Sequence, residues 1–177
     1  MNTLLPLNTD VLFLLDTNFF IQSHYTSYPL DVAESFWNKV KMLAFEKKIM
    51  SIDKVKEEIY KKEDKIKSWC IKNLPGCFFL DAKKQDIIGC YQQLIKWVNS
   101  KRSHCTDKAI EEFSEYKNAD AWLIAFALRY KNTFTIVTYE KSEPQRKNKI
   151  KIPDVCNNFD VKCVDVIEMF RQLGETF

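Results

Sequence analysis

The chain has 177 residues, 46% of them hydrophobic and 14% aromatic, and carries a formal charge of +3. That is long enough for one domain with a sizeable core and too apolar for a disordered chain. The mild positive charge permits a polyanionic partner without requiring one.

The first element is the run VLFLLDTNFF (Val11 to Phe20), five apolar residues ending in Asp16. A continuous apolar run of this length reads as a strand buried on both faces of a sheet. HYTSYPLD follows as a loop, with Pro29 barring a helix before it. Asp31 and Glu34 form a capping-box pattern ahead of a helix whose inner face is Val32, Phe36, Trp37, Val40, Leu43 and Ala44. Ile49 to Ile52 is a short second strand. Asp53 then caps a helix running to about Lys72.

Pro75 and Gly76 break the chain before a third strand, Cys77 to Leu80. Asp81 opens a helix with Ile87, Ile88, Tyr91, Leu94, Ile95 and Val98 facing inward. After the polar stretch Asn99 to Asp107 comes a short acidic helix with Ile110, Phe113 and Tyr116 on its inner side. Ala119 to Tyr130 is apolar almost all round, so it belongs at the centre of the fold. Phe134 to Thr138 is the fourth strand. A basic loop, Lys141 to Lys151, leads past Ile152 and Pro153 to a last strand near Val161 to Val164. Asp165 and Glu168 repeat the capping-box pattern before a final helix. Strands alternating with helices predict an α/β fold: a mostly parallel central sheet of about five strands, flanked by helices on both faces, in a single domain over residues 1–177.

Four acids occupy positions that the apolar pattern reserves for the core. Asp16 ends the first strand, where open α/β sheets place their ligands. At about 100° per residue, Glu58 shares the inner face of its helix with Val55 and Ile59, whereas Glu57 points to water. Lys62, one turn on, also points inward. Asp120 shares a face with Leu123, Ile124 and Ala127; its alternative role is capping a helix just after Asn118. Glu140 lies two residues past the fourth strand, a place where a solvated loop acid is also common. Together these positions fall at one edge of a parallel sheet. Four carboxylates in one cleft repel one another unless divalent cations neutralise them. With six cysteines lacking any CxxC pair and two histidines, His24 and His104, zinc is disfavoured. Oxygen ligands suit Mg2+ or Mn2+.

These segments resemble the PIN domain family. LLDTN (Leu14 to Asn18) is similar to its first strand and first acid. SIDKVKEEI (Ser51 to Ile59) is similar to the segment with its second acid, matched by Glu58. NADAWLIAFAL (Asn118 to Leu128) is similar to its third-acid helix, matched by Asp120. IVTYE (Ile136 to Glu140) is similar to its strand, threonine and fourth acid, although Glu140 stands where the family more often has Asp. The LLDTN, SID and IPDVC segments most resemble a PIN-like branch related to VapC-type toxins.

The resemblance implies a Mg2+- or Mn2+-dependent endoribonuclease leaving a 5′-phosphate and a 3′-hydroxyl. It further implies a toxin paired with an antitoxin protein, commonly as a homodimer. On that reading Asp16, Glu58, Asp120 and Glu140 are catalytic and hold the metal, with water as nucleophile. Asn18 and Thr138 orient carboxylates or water. Lys141, Arg146, Lys147, Lys149 and Lys151 could steer RNA phosphates, or form an ordinary solvated loop.

Three other readings stand beside it. A phosphatase of the haloacid dehalogenase type needs an acid two residues after the first, and that position is Asn18. A PIN-like binding module without catalysis keeps the fold but not the activity. A plain α/β protein would use the acids as caps. Free thiols, and an apolar start that lacks a basic n-region and stops at Asp16, point to a cytoplasmic protein with neither a signal peptide nor a membrane span.

Overall fold

The computed structural model describes residues 11–177. The expectation that no leader precedes the first strand, and the first ten residues of the expected domain, lie outside the described residues. Five strands are present: β1 (Leu12–Leu15), β2 (Ile49–Ile52), β3 (Phe79–Leu80), β4 (Phe134–Val137) and β5 (Cys163–Val164). They form one sheet in the order β3-β2-β1-β4-β5, with every pairing parallel. All residues of β1, β2 and β4 are buried. Alternate side chains on a strand point to opposite faces, so both faces of this central part are covered.

The helices are α1 (Thr17–Gln22), α2 (Glu34–Phe45), α3 (Asp53–Tyr60), α4 (Lys65–Asn73), α5 (Gln85–Asn99), α6 (Asp107–Ser114), α7 (Ala119–Arg129), α8 (Ile152–Phe159) and α9 (Val166–Leu173). As its composition predicts, α7 is central: Ala119 and Ala121 through Ala127 are all buried. It packs on α5 through Trp122, which stacks on Tyr91 with ring centroids 4.1 Å apart.

The strand order has one switch point. From β1 the chain moves outward through β2 and β3, then returns to the other side of β1 with β4. Two neighbouring parallel strands whose connections leave in opposite directions open a crevice at their carboxyl ends. The register pairs Leu15 with Val137, so Asp16 and Thr138 emerge side by side into that crevice. The Asp16 backbone N–H donates to the Val137 carbonyl at 3.1 Å, extending the ladder one residue beyond β1. On the other flank Ser51 Oγ donates to the Leu15 carbonyl at 2.6 Å and fixes the same strand end from β2.

Several local expectations change. The helix expected from Asp53 to Lys72 is two, because Asp64 turns extended and accepts the Lys67 N–H, starting α4. Lys62 therefore sits in a turn and is exposed. Asp53 caps nothing; its carboxylate accepts the Ala82 N–H at 3.1 Å, tying α3 to the segment after β3. Asp31 does not cap α2, whose N-cap is Ala33, and Val32 is 79% exposed. Asp81 likewise does not open α5, which begins after Lys84. Tyr116 is largely exposed, its ring edge-on to Trp122. The first loop is not irregular throughout, since α1 continues into a π-helical turn, Ser23–Ser27.

Two helices, α1 and α8, were not expected. Pro153 reads as a chain breaker, but at a first helical turn its missing N–H costs nothing, and it stands there in α8. Before α9 the N-cap half of the expected capping box forms, with Asp165 Oδ1 accepting the Glu168 N–H at 2.9 Å, while the Glu168 carboxylate turns to Gln172 and Arg171. The six cysteines are free thiols, two of them (Cys70 and Cys156) buried. Among the described residues no helix is long and apolar enough to cross a membrane.

The two capping boxes differ in structure and should differ in energy. Asp165→Ala is expected to lower unfolding free energy by about 1 kcal/mol, the usual worth of a cap. Asp31→Ala should change it by less than about 0.5 kcal/mol, as for an exposed site. Urea titration of both variants checks this, and equal losses would contradict it.

Candidate functional site

Asp16 is the most constrained group in the molecule. It is 1% exposed. One carboxylate oxygen, Oδ2, accepts the Thr138 hydroxyl at 2.8 Å. The other, Oδ1, is buried without a hydrogen-bond partner. The Asn18 backbone N–H lies close enough to favour the charge but lacks hydrogen-bond geometry. A buried anion with an unmet oxygen is costly, by several kcal/mol unless something compensates.

Glu58 approaches from α3. Its Oε2 accepts the Thr17 hydroxyl at 2.6 Å and its Oε1 accepts the Ala119 N–H at 2.9 Å. The second bond sets an anion on the first turn of α7, where the helix dipole favours negative charge. One turn earlier on the same helix, Lys54 is 2% exposed, a rare position for lysine. Its ammonium lies 3.3 Å from Glu57 and 4.4 Å from the Tyr116 ring centroid, so it clamps α3 to the segment before α7. As the helical spacing requires, Glu57 is exposed and Glu58 only partly so.

Asp120 sits in the first turn of α7, but the cap is made by Asn118, whose Oδ1 accepts the Asp120 N–H at 2.8 Å. The Asp120 carboxylate is thereby left to the crevice. Glu140 is brought back toward the site by a tight turn in which its own N–H donates to Thr138 Oγ1 at 3.1 Å. Thr138 is thus donor to Asp16 and acceptor from Glu140. The Glu140 side chain is 5% exposed and heavily partnered. Its Oε2 accepts the Ile152 N–H at 2.8 Å, and its Oε1 meets Lys149 at 3.0 Å and Lys151 at 3.4 Å.

The four carboxylates sense one another. Burial pushes the Asp16 carboxyl up to about 6; Thr138 opposes this, and the charges of Glu140 and Glu58 add to it. Asp120 is held well above the ordinary carboxylate range, first by burial and then by Asp16, Glu140 and Glu58, with Lys149 pulling the other way. The group opens to solvent through a cleft of about 310 Å³ lined by Glu58, Asp120 and Asn118 among others.

Among the described residues, no three His, Cys, Asp or Glu side chains stand close enough to make a ready cage for an ion. Mutual repulsion, and the tethering of Glu58 and Glu140 to other partners, explain why charge proximity does not become contact. The donor set is nevertheless all oxygen, and Asp16 Oδ1 is an anionic ligand with nothing to bind. Asp16, Glu58, Asp120 and Glu140 are the residues that could hold a hard divalent cation here.

The remaining expected residues are placed as follows. Asn18 lies in α1, half-buried, with its backbone rather than its amide toward Asp16. In the basic loop Lys149 and Lys151 face Glu140, while Lys141 pairs with Asp165 and Arg146 with Glu143. Lys147 is exposed, and its carbonyl accepts the Thr106 N–H. Sequence reasoning missed Thr17, Ser51 and Lys54. Only Thr17 had a visible signal, a hydroxyl directly after the strand-end acid.

The sheet and its switch-point crevice define an all-parallel α/β protein with a carboxylate cluster at the carboxyl edge, an architecture compatible with a PIN-like domain. The chain belongs to the family described as a domain of unknown function, DUF4411, whose model matches residues 13–177. No curated protein matches it.

The burial of Asp16 has a measurable cost in the metal-free protein. Its carboxyl titrates at about 6 in the folded state against 3.8 ordinarily. Between those values the folded chain holds a proton that the unfolded chain releases. This contribution to stability is therefore full below about pH 4 and is lost as pH rises through about 6, by up to about 3 kcal/mol. Urea titrations in chelator across this range should show the decline, and Asp16→Asn should make it shallower, Asp120 supplying the remainder, and be the more stable form at neutral pH. A wild type and variant with parallel profiles would contradict the assignment.

Proposed function

We propose that this protein is a PIN-like, metal-dependent endoribonuclease that hydrolyses RNA phosphodiesters to a 5′-phosphate and a 3′-hydroxyl. The observation that carries the reading is Asp16: a buried carboxylate with one unsatisfied oxygen, at the switch point, beside three further acids. A bound Mg2+ or Mn2+ supplies charge neutralisation and Lewis acidity at a phosphodiester. The chain's own groups do the positioning. Thr138 holds Asp16 in one rotamer, Thr17 and the α7 N-terminus hold Glu58, and Lys149 and Lys151 hold Glu140. Asp120, whose carboxyl burial holds above the ordinary range, would hold a proton at its carboxyl oxygen while no cation is bound. Asn18, two residues after Asp16, supplies no acid and so disfavours phospho-aspartate chemistry.

The finer assignment is a VapC-type toxin acting in the cytoplasm, neutralised by an antitoxin and commonly dimeric. It rests on the resemblance of the LLDTN, SID and IPDVC segments. The alternative, a PIN-like binding module without catalysis, is favoured by one observation: both Glu140 oxygens are already engaged by Lys149, Lys151 and the Ile152 N–H.

Wild-type protein should cleave single-stranded or structured RNA with Mn2+ and not with chelator. Thr138→Val should slow cleavage by about 10–100-fold, as loss of a group orienting a ligand does, and Asp16→Asn and Asp120→Asn by more. Cleavage that survives chelator, or that both substitutions leave intact, overturns the nuclease reading. RNA binding without cleavage supports the binding module. Expression of wild type should arrest growth and the Asp16→Asn form should not; equal growth removes the toxin assignment.

A further inference from the structure

A second cleft, of about 520 Å³, lies between the end of α5, the turn into α6, the loop after β4 and the start of α8. That is within the size range of small-ligand sites, roughly 300–1,000 Å³. Its walls are tied to each other: His104 Nε2 donates to the Pro144 carbonyl at 3.0 Å, and the Thr106 N–H donates to the Lys147 carbonyl at 2.8 Å. The apolar part of the lining includes Trp97, Pro144 and Ile150, and four cations, Lys101, Arg146, Lys149 and Lys151, stand around it. The two acids in the lining are already committed. Glu143 pairs with Arg146 at 3.1 Å and Lys151 at 3.7 Å, and Asp154 accepts the Ser142 hydroxyl and the Glu143 N–H.

The cleft adjoins the carboxylate cluster. Lys149 and Lys151 belong to both, since they line the cleft and also contact Glu140. A ligand lying across these lysines therefore has one end at the acids and the other at Trp97. Lys101 Nζ lies over the Trp97 ring, 4.7 Å from its centroid, so a base stacking on that face would displace the ammonium toward its own phosphate. An aromatic plane bordered by cations matches a nucleotide, whose base stacks and whose phosphates pair with ammonium and guanidinium groups.

We infer that this cleft is a nucleotide subsite that takes one residue of the single-stranded RNA flanking the scissile phosphate, with its base against Trp97 and its phosphates at Lys101 and Arg146. The subsite deepens the endoribonuclease reading and rests on it for the identity of the ligand. Lys149 and Lys151 then couple substrate to the acids: a phosphate arriving at either lysine competes with Glu140 for it. Part of the Glu140 carboxylate is released toward the cluster only when substrate is seated.

The test measures binding with the full chain in chelator, where no cleavage is expected. The probe is a fluorescein-labelled single-stranded RNA of about eight nucleotides, within the range of single-strand sites. Trp97→Leu keeps the apolar packing against Phe159 and should weaken binding by about 5–100-fold, the span of one lost base stack. Lys101→Ala with Arg146→Ala should weaken binding and lower the slope of log affinity against log salt by about 1–2. Lys131→Ala, on the far side and paired with Asp160, is the control and should bind as wild type does. Thermal melts confirm that each variant is folded; should Trp97→Leu not fold, the Lys101/Arg146 pair decides alone. Cleft variants that fold and bind like wild type, or a wild type that does not bind the probe, overturn the subsite. Cleavage by wild type with Mn2+ is scored separately, so the subsite can fail while the nuclease reading stands.

Discussion

The hydrogen bond from Thr138 to Asp16 joins the two strands at whose ends the site is built. Asp16 follows β1 and Thr138 follows β4, and the parallel register sets them level with each other. The hydroxyl satisfies one oxygen of a nearly inaccessible carboxylate, and in the same turn accepts the N–H that swings Glu140 back toward the crevice. A valine there would fill the space but leave two groups unpaired in a low-dielectric setting, where unpaired polar groups cost most. One hydroxyl thus sets the rotamer of the first acid and the approach of the fourth.

The cluster around it is a balance of opposing charges. Burial and mutual repulsion drive Asp16 and Asp120 toward the protonated state. Glu58 is held by two donors, and Glu140 by two lysines and a backbone N–H. Both oxygens of Glu58 and of Glu140 thus have protein partners, whereas Asp16 has a partner for one oxygen only. An arrangement that leaves the deepest carboxylate half satisfied makes poor sense as a stability device, because an apolar residue at the end of β1 would cost less. It makes sense as a ligand site whose stability is given up for function.

The basic side of the molecule completes this picture. Lys149 and Lys151 are at once counterions to Glu140 and part of a cleft that ends at Trp97. Two lysines that line the basic cleft thus also reach an acid of the cluster, on side chains long enough to serve both. Lysine suits such a role better than arginine, being a compact charge on a flexible stem that can exchange one oxygen partner for another.

Much of this was legible in the chain. The buried strand before Asp16, the inward set of Glu58 against Glu57, the wholly apolar α7 and the alternation that demands a parallel sheet are local patterns. Local patterns follow from side-chain period and hydrophobicity alone. What could not be read were facts about partners distant in sequence. Asp53 and Asp81 look like caps because their neighbours do, yet Asp53 is claimed by a backbone N–H twenty-nine residues away. Lys54 looks like a surface lysine until Tyr116 arrives beside it. Pro153 can stop a helix or start one, and the chain around it does not say which. The sequence by itself determined that a strand would bury an acid at its end, since apolar run and carboxylate are adjacent in the chain. Which oxygen of that acid would be satisfied, which of the other three would reach it, and that Lys149 would stand between them and a second cleft were decided only by tertiary structure, because hydrogen bonds and charges act through space and not along the chain.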